Sequence, residues 1–256
     1  MERGAGPYAV DYTGLPLNDE GRARALSHAA SQMFMIERQC ALWSPFYMVL
    51  GPFGLEIWNE TDPISGDTVA WKIGAWEDRF ETTIWMDGRP HPSGSAVHGL
   101  GGFTTGEWVG TMLVAYTTHL KPGAIRRNGA PSSDRATMTT YFIRNENLLT
   151  VLAVLEDPVY LSEPEIVSKN FELGSVPISP IGPPCVPGFE GGGDSVPHYL
   201  PGRNPSMDEL TTLYGIPRDA VLGGAHTMYP EYRETLRRTF VRPEKCVRNC
   251  GGRGGR

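Results

Sequence analysis

The chain has 256 residues, of which 40% are hydrophobic and 20% are charged. A formal net charge of −6 at pH 7 argues against a nucleic-acid-binding protein, because such proteins normally present a basic surface. No stretch of the sequence has the roughly 18 consecutive apolar residues of a membrane-spanning helix. The 31 glycines and 22 prolines indicate many turns and argue against a helical bundle. The composition therefore predicts a turn-rich, β-dominated protein with a hydrophobic core.

Residues 1–43 are predicted to form an N-terminal segment with one helix. Asn18 is a typical N-cap residue, and Asp19 and Glu20 follow it where the helix dipole favours negative charge. We expect about four helical turns, over residues 19–37. The first four residues begin no apolar signal sequence, so we expect a periplasmic or secreted protein if a signal was removed, and a cytoplasmic protein otherwise.

Residues 44–173 are predicted to form a β-barrel core. Runs rich in Val, Ile, Thr and aromatic residues alternate there with turn signals such as Asp87-Gly88 and Asp157-Pro158. The predicted strands are residues 47–50, 55–59, 69–74, 82–86, 107–109, 112–118, 137–143, 148–155 and 166–173.

This pattern decides the fold class. Short strands without intervening helices exclude repeated β-α-β units, and a sheet that closes on itself leaves no exposed edges. The sequence thus predicts an all-β fold, mainly an antiparallel, lipocalin-like β-barrel of about eight to nine strands, with an N-terminal helix and short C-terminal helices. A two-sheet sandwich is the alternative. A barrel of about eight strands has an interior that is either filled by side chains or holds one small ligand.

Residues 174–245 are predicted to form an extended segment and helices packed on the barrel. The segment 177–193 is rich in proline and glycine, Asn204 and Pro205 are expected to begin one helix, and Pro230 a second. Residues 246–256 are predicted to be disordered. The chain is therefore expected to form a single domain with appendages.

The four cysteines do not form a recognisable metal motif. Cys246 and Cys250 lack the spacing of zinc ribbons and have no second pair nearby. Cys40 and Cys185 form a candidate disulfide, and two separate buried thiols are the alternative.

Several segments of the chain resemble a set of uncharacterised bacterial proteins that are mostly predicted to be exported. They extend from about residue 11 to residue 240, and include residues 87–92 (DGRPHP), 117–119 (TTH), 126–129 (RRNG), 132–134 (SSD) and 156–158 (EDP). The resemblance implies a lipocalin-like barrel in the periplasm or beyond, and it assigns no activity and no catalytic residue.

The strongest candidate catalytic residue is His119. It ends the predicted strand 112–118, while Thr139 and Tyr141 share one face of the strand 137–143 because side chains alternate with period two. If both faces point inward, a histidine, a tyrosine and threonine hydroxyls converge in an apolar interior and can orient a ligand or move a proton. The alternative is that this polar face points outward.

Arg126 and Glu156 complete the predicted catalytic set. The guanidinium of Arg126 can bind a carboxylate or phenolate, or form a structural ion pair with Asp134 or Glu156. A carboxylate of Glu156 at the mouth of the barrel would have a raised pKa and act as a base, whereas a strand-terminal acid is otherwise simply solvated.

Further residues are predicted to bind the substrate, by stacking or hydrogen bonding: Trp85, His91, Trp108, Tyr116 and Thr139. His91 and His98 are seven residues apart in one loop and form a metal pair only if an acidic ligand joins them. We predict no metal site and instead expect His91 to fix the loop.

The sequence is compatible with two functions. The first is a cofactor-independent enzyme that uses acid–base chemistry of the lyase, isomerase, hydratase or decarboxylase type on a small hydrophobic or aromatic molecule. The alternative is a non-catalytic carrier of such a molecule. The expected partner is this small molecule, with no nucleic acid and no membrane span, and a homodimer is an additional open alternative.

Overall fold

The computed structural model describes residues 8–35, 44–50, 54–75, 81–174, 186, 188 and 196–239. All structural statements below concern this part of the chain. The candidate disulfide between Cys40 and Cys185 lies outside the described residues, as does the predicted tail 246–256.

The structure confirms a mainly β fold with a few short helices. The strands are β1 (Leu55–Thr61), β2 (Thr68–Ala75), β3 (Glu81–Trp85), β4 (Phe103–Val109), β5 (Met112–Thr118), β6 (Gly123–Ala124), β7 (Pro131–Ser132), β8 (Thr137–Asn145), β9 (Leu148–Glu156) and β10 (Glu165–Glu172). Eight of them form one sheet in the order β1-β2-β3-β4-β5-β8-β9-β10, while β6 and β7 pair with each other. The sheet curls into a half-barrel, consistent with the predicted lipocalin-like barrel.

One strand pair differs from the antiparallel arrangement predicted. β3 and β4 run parallel, with Ile84 opposite Thr104 and Trp85 opposite Thr105. Parallel neighbours need a crossover of about a dozen residues or more, and residues 86–102 form this crossover, with no regular strand or helix. The loop that carries His91 and His98 is therefore the connection that the parallel pair requires.

The curled sheet has an inner and an outer face. Directly paired residues share a face, so the register Ile84–Thr104–Thr117–Met138–Leu155 continues along the inner face. All five of these side chains are buried. The neighbouring register of outward-pointing residues is Trp85, Thr105, Tyr116, Thr139 and Val154.

The helix α1 (Asp19–Leu26) begins as predicted and ends early. The Asn18 side chain accepts a hydrogen bond from the Gly21 amide at 2.8 Å, so the predicted N-cap is confirmed. The helix does not continue to residue 37, because the Ser27 carbonyl accepts from the Tyr199 amide at 2.9 Å. A separate 3₁₀ helix over Ala30–Phe34 follows.

Residues 47–50, predicted as a strand, instead belong to the helix α2 (Pro45–Leu50). Proline is favourable in the first helical turn, where its missing amide proton costs no hydrogen bond. α2 packs against β9 and β10, and Phe46, Tyr47 and Val49 are buried in the core. The tertiary contacts of these apolar residues therefore override their β-forming pattern.

Three helices follow in the C-terminal region: α3 (Glu209–Tyr214), α4 (Arg218–Leu222) and α5 (Pro230–Thr239), with a 3₁₀ turn over Ala225–Met228. Pro230 begins α5 as predicted. Asn204 does not cap a helix, since its side chain accepts from the Ser206 amide in a turn and α3 starts after Asp208. α5 contacts the Ala225–Met228 turn and buries none of its described residues.

The N-terminal segment covers one end of the half-barrel. Tyr12, Leu15 and Leu17 are fully buried in the same core cluster as the inner strand residues. Leu17 forms a β-bridge with Leu161, and the Asn18 amide donates to the Tyr160 carbonyl at 3.0 Å. The segment thus fills the end of the half-barrel at which β9 ends and β10 begins.

The space around Gly106 shows how closely the side chains of the inner face are packed. A Cβ atom at this position would lie 2.6 Å from Ile84 Cγ2 and 2.9 Å from Met86 Sδ. We predict that Gly106→Ala lowers the free energy of unfolding by about 1–3 kcal/mol, measured by urea titration, because overpacking forces neighbours from their rotamers. Gly94→Ala is the control, since nothing lies within 4 Å of that site. Equal stability of the two variants would contradict the packing described.

Candidate functional site

A cavity of about 1230 Å³ lies at the other end of the half-barrel. It is surrounded by the β4–β5 and β8–β9 turns, the start of β1 and the end of β10. Its wall is largely apolar and aromatic, and consists chiefly of Leu55, Ile57, Trp71, Ile73, Trp108, Leu113, Phe142, Leu149 and Phe171. Among the described residues, side chains fill the interior at the covered end of the half-barrel and leave this cavity at the other end.

The ionisable residues of the cavity lining are Glu56, Arg144, Glu146 and Glu172. All four residues are exposed, so none of them belongs to the buried part of the wall. Glu56 and Glu172 also occupy outward positions of the register, opposite Gly74 and Leu148. The Arg144 Nε donates to the Glu146 carbonyl at 2.9 Å and holds the guanidinium beside the β8–β9 turn. Of the residues predicted from the sequence to act at the site, Trp108 lines this cavity, and 54% of its surface is exposed.

A second cluster lies on the outer face, where the crossover loop contacts β4 and β5. His91 Nδ1 lies 2.7 Å from Thr118 Oγ1, and His91 Nε2 lies 2.8 Å from Thr105 Oγ1. Thr118 Oγ1 is in turn 2.7 Å from His119 Nδ1, and His119 Nε2 is 2.9 Å from the Ser93 carbonyl oxygen. We call this chain of five residues the histidine relay.

The donor of each hydrogen bond in the histidine relay can be assigned by starting from the Ser93 carbonyl oxygen, at one end of the relay. The Ser93 carbonyl only accepts, so His119 Nε2 carries the proton and, in a neutral ring, His119 Nδ1 accepts from the Thr118 hydroxyl. Thr118 then accepts from His91 Nδ1, and His91 Nε2 accepts from the Thr105 hydroxyl. Burial, with a smaller contribution from His119, lowers the pKa of His91 and favours this neutral arrangement.

The backbone of His119 is unusual because its φ is +56°, in the left-handed region. This conformation ends β5 and lets the His119 carbonyl accept from the Gly99 amide at 2.9 Å. His98 donates from Nδ1 to the Leu120 carbonyl, and its ring centroid lies 5.0 Å from that of His119. Both ends of the crossover loop are therefore fixed to the end of β5.

Four of the residues predicted to bind substrate lie on the outer face near the relay. The His91 ring centroid is 5.2 Å from that of Tyr116, and Tyr116 pairs with Thr139. Trp85 pairs with Thr105, and the Arg89 guanidinium lies 3.6 Å from its ring centroid. His91, Tyr116, Thr139 and Trp85 therefore lie near one another, on the side of the sheet that faces away from the interior.

The predicted catalytic residues are not brought together. Tyr141 pairs with Val114 and Glu156 with Thr137, and both point outward. Since a strand advances about 3.3 Å per residue, Tyr141 and Glu156 lie roughly 13 Å apart along the outer face. The hypothesis that Tyr141, Thr139 and His119 converge inside the barrel is wrong, because the inner positions of these strands are Leu113, Ala115, Thr117, Met138, Thr140 and Phe142.

Arg126 lies on the opposite side of the sheet from the relay. Its Nη2 donates to Glu165 Oε1 at 3.1 Å, and the Glu165 side chain is 4% exposed. Burial raises the pKa of the Glu165 carboxyl, and the Arg126 charge offsets only part of this effect. The structural ion pair expected for Arg126 exists with Glu165 and not with Asp134 or Glu156.

A buried lysine lies on the same inner strand face as Glu165. Lys169 is 9% exposed and its Nζ lies 4.7 Å from the ring centroid of Phe171, which lines the cavity. Burial lowers the pKa of this ammonium group. Sequence reasoning missed both residues, although the alternation in β10 places Glu165, Lys169 and Phe171 on one face.

Within the described ranges, no group of three or more His, Cys, Asp or Glu side chains is arranged to hold a metal ion. None of the described helices has the length and apolar character needed to cross a lipid bilayer. No family model, curated protein or solved structure matches this chain, so the resemblance carried by its short segments assigns no family. The geometry of the described residues is therefore the only guide to the function of the protein.

The histidine relay predicts a pH-dependent stability. The pKa of His91 is lowered on folding, so its contribution is fully present above the unfolded value near 6.5 and is lost as the pH falls through the lowered folded value. We expect His91→Gln to destabilise the protein at pH 7.5 and to destabilise it less at pH 5, measured by urea unfolding. His198→Gln, at an exposed histidine on the C-terminal segment, is the control. A difference that does not change with pH would contradict this account.

The Arg126–Glu165 pair predicts a different response. We expect Arg126→Met to lower the free energy of unfolding by about 3–5 kcal/mol, because it leaves a buried carboxylate without its cation. The double variant Arg126→Met/Glu165→Leu is expected to recover most of this loss, since neither charge is then buried. Thermal and urea unfolding measure both. If the double variant is as unstable as the single one, the pair does not act as described.

Proposed function

We propose that this protein binds a small hydrophobic or aromatic molecule in the cavity at the open end of its half-barrel, as a binding protein or carrier. The observation that carries the proposal is the cavity of about 1230 Å³ with its largely apolar, aromatic wall. Ligand sites are typically concave and apolar, with volumes of roughly 300–1,000 Å³. This cavity is somewhat larger than that range and is therefore large enough for one such molecule. The wall offers ring faces from Trp71, Phe142 and Phe171 for stacking.

Two features support a carrier over an enzyme at this cavity. Among the described residues, the ionisable ones in its lining are all exposed, whereas acid–base catalysis needs a positioned group beside the reacting atoms. His119, Tyr141, Glu156 and Arg126, which the sequence analysis named as catalytic, do not line it. Binding without chemistry requires only the apolar wall and access from the solvent.

An acid–base enzyme of the lyase, isomerase, hydratase or decarboxylase type is the second candidate. The histidine relay favours it, because two imidazoles joined through the Thr118 hydroxyl can pass a proton between them. Its substrate would then lie on the outer face, against Tyr116 and near Thr139. The two candidates therefore differ in the side of the sheet that the small molecule occupies.

A substitution at the mouth of the cavity tests the proposed function. Ile57 lines the cavity and is 40% exposed, so Ile57→Trp is expected to obstruct the mouth without disturbing the packed core. We predict that it weakens binding of N-phenyl-1-naphthylamine, an uncharged fluorescent probe, by about tenfold or more, since much of the buried apolar contact is lost. Fluorescence titration provides the dissociation constants.

The control is Ile166→Trp, the same substitution on the other edge strand. Ile166 is 58% exposed, points outward and does not line the cavity, so its variant should bind within twofold of the native protein. Absence of saturable probe binding to the native protein would contradict the proposed function. Equal weakening by both substitutions would place the bound molecule elsewhere. Mass spectrometry of the incubated ligand separates a carrier, which leaves it unchanged, from an enzyme.

A further inference from the structure

We infer that two copies of this protein form a homodimer through the outer face of the sheet, with β5, β8 and β9 of one copy packed against the same strands of the other. The sequence leaves a homodimer open and does not locate its interface. The inference goes beyond the proposed function, because the cavity lies on the inner side of the sheet.

The face concerned consists of the outward positions of β5, β8 and β9 in three adjacent rows of the strand register. The rows begin on β5 at Met112, Val114 and Tyr116, and the central row is Val114, Tyr141 and Leu152. We call these nine positions the uncharged face, since none of them holds an Asp, Glu, Lys, Arg or His side chain. None of the nine lines the cavity.

The uncharged face is partly open to solvent although it is apolar. Within it, Tyr116 and Ile143 are each 42% exposed, while Val109 and Ile166, next to it on β4 and β10, are 52% and 58% exposed. An antiparallel strand with one face toward solvent normally alternates apolar and polar side chains. β9 instead reads LLTVLAVLE, a nearly continuous apolar run that is typical of a strand covered on both faces. The composition therefore indicates a partner on the outer side.

The other half of the outer face has the charged character that this half lacks. At outward positions of β1, β2 and β3, Lys72 Nζ lies 2.8 Å from Glu60 Oε1 and 3.7 Å from Glu81 Oε1. Exposed ion pairs of this kind are typical of a surface that stays in water. The contrast between two halves of one sheet confines the expected interface to the uncharged face and its immediate neighbours.

A second copy is the partner that this charge distribution fits. In a two-fold dimer the same patch of both copies meets, so a charged patch would oppose its own charge. The chain has a formal net charge of −6 at pH 7, and two copies therefore repel each other least where they meet at an uncharged surface. Tyr116, Tyr141 and Met112 also belong to the residue types that are enriched in protein–protein interfaces.

The face is large enough for a dimer. With the flanking strands β4 and β10 it spans five strands about 4.8 Å apart and three rows about 6.6 Å apart, or roughly 24 Å by 20 Å. Two such faces in contact remove about 1,000 Å² of surface, the size of a weak specific dimer. β8 is the central strand of the five, so a two-fold axis along it brings Tyr141 close to the axis. Glu107 on β4 then lies opposite β10 of the other copy, whose outward position in that row is the uncharged Ser168.

Sedimentation velocity of the native protein tests the inference directly. We expect a monomer–dimer equilibrium with a dissociation constant in the micromolar range, followed from about 1 µM to about 200 µM protein. A native protein that stays monomeric at the highest concentration would overturn the inference.

Charged substitutions at Tyr141 locate the interface. Tyr141→Glu and Tyr141→Lys each place like charges on both sides of the axis, so each should weaken the dimer by about tenfold or more. An equimolar mixture of the two variants should dimerise again, because opposite charges then meet. Trp58→Glu is the control, since Trp58 points outward on β1, is 40% exposed and lies outside the uncharged face. Its dimer should dissociate within about twofold of the native one.

The outcomes separate the inference from the proposed function. Undiminished dimerisation of both Tyr141 variants, or equal weakening by Trp58→Glu, would place any dimer interface elsewhere and overturn the inference. A mixture that stays monomeric would also overturn it, because the loss of the dimer would then reflect damage within each variant. A monomeric native protein that binds N-phenyl-1-naphthylamine leaves the carrier function standing, whereas a dimeric protein that binds no probe contradicts only the proposed function.

Discussion

The alternation of side chains along a curled sheet determines the rest of this structure. Burial stabilises the apolar inner positions of the half-barrel, and the N-terminal segment and α2 cover some of them by burying Tyr12, Leu15, Phe46 and Tyr47 in the same core as the strands. This cover is concentrated at the end where the Leu17–Leu161 bridge forms. At the other end, around the β4–β5 and β8–β9 turns, the inner side chains surround a cavity. A filled end and an open end therefore result from one constraint, the burial of apolar surface by a short covering segment.

The same alternation places the polar chemistry on the outer face. Threonines and aromatic residues at outward positions of β4, β5 and β8 need hydrogen-bond partners, and the crossover between β3 and β4 passes over them. His91 satisfies Thr105 and Thr118 at once, and the left-handed backbone of His119 turns its ring toward Ser93. The relay is thus explained by the parallel strand pair, because that pair requires a long loop and the loop must be fixed to the sheet.

The positions of most strands along the chain were predictable from the sequence. Which side chains of a strand point into the half-barrel and which point outward was not predictable. Residues 112–118 were predicted as β5 without error, because an apolar run between two turn signals defines a strand locally. The helix α2 was missed because burial of Phe46 and Tyr47 against β9 and β10 depends on distant residues. The sequence left open whether Tyr141 points inward or outward, since alternation gives two faces and only the complete fold decides which one is covered. The lining of the cavity was not predictable because residues as far apart as positions 55 and 171 border one cavity only after the sheet curls.

Charged residues on the edge strands also explain why a half-barrel with two free edges is acceptable. Within the described residues β1 and β10 each pair with one neighbour, and such edges favour pairing with other strands unless charges oppose it. Glu56 on β1 and Glu172 on β10 place an exposed carboxylate on each of the two edge strands, at outward positions opposite Gly74 and Leu148. Charged side chains of this kind oppose the addition of a further strand to an edge, so the described sheet can end at β1 and β10 without inviting edge-to-edge association.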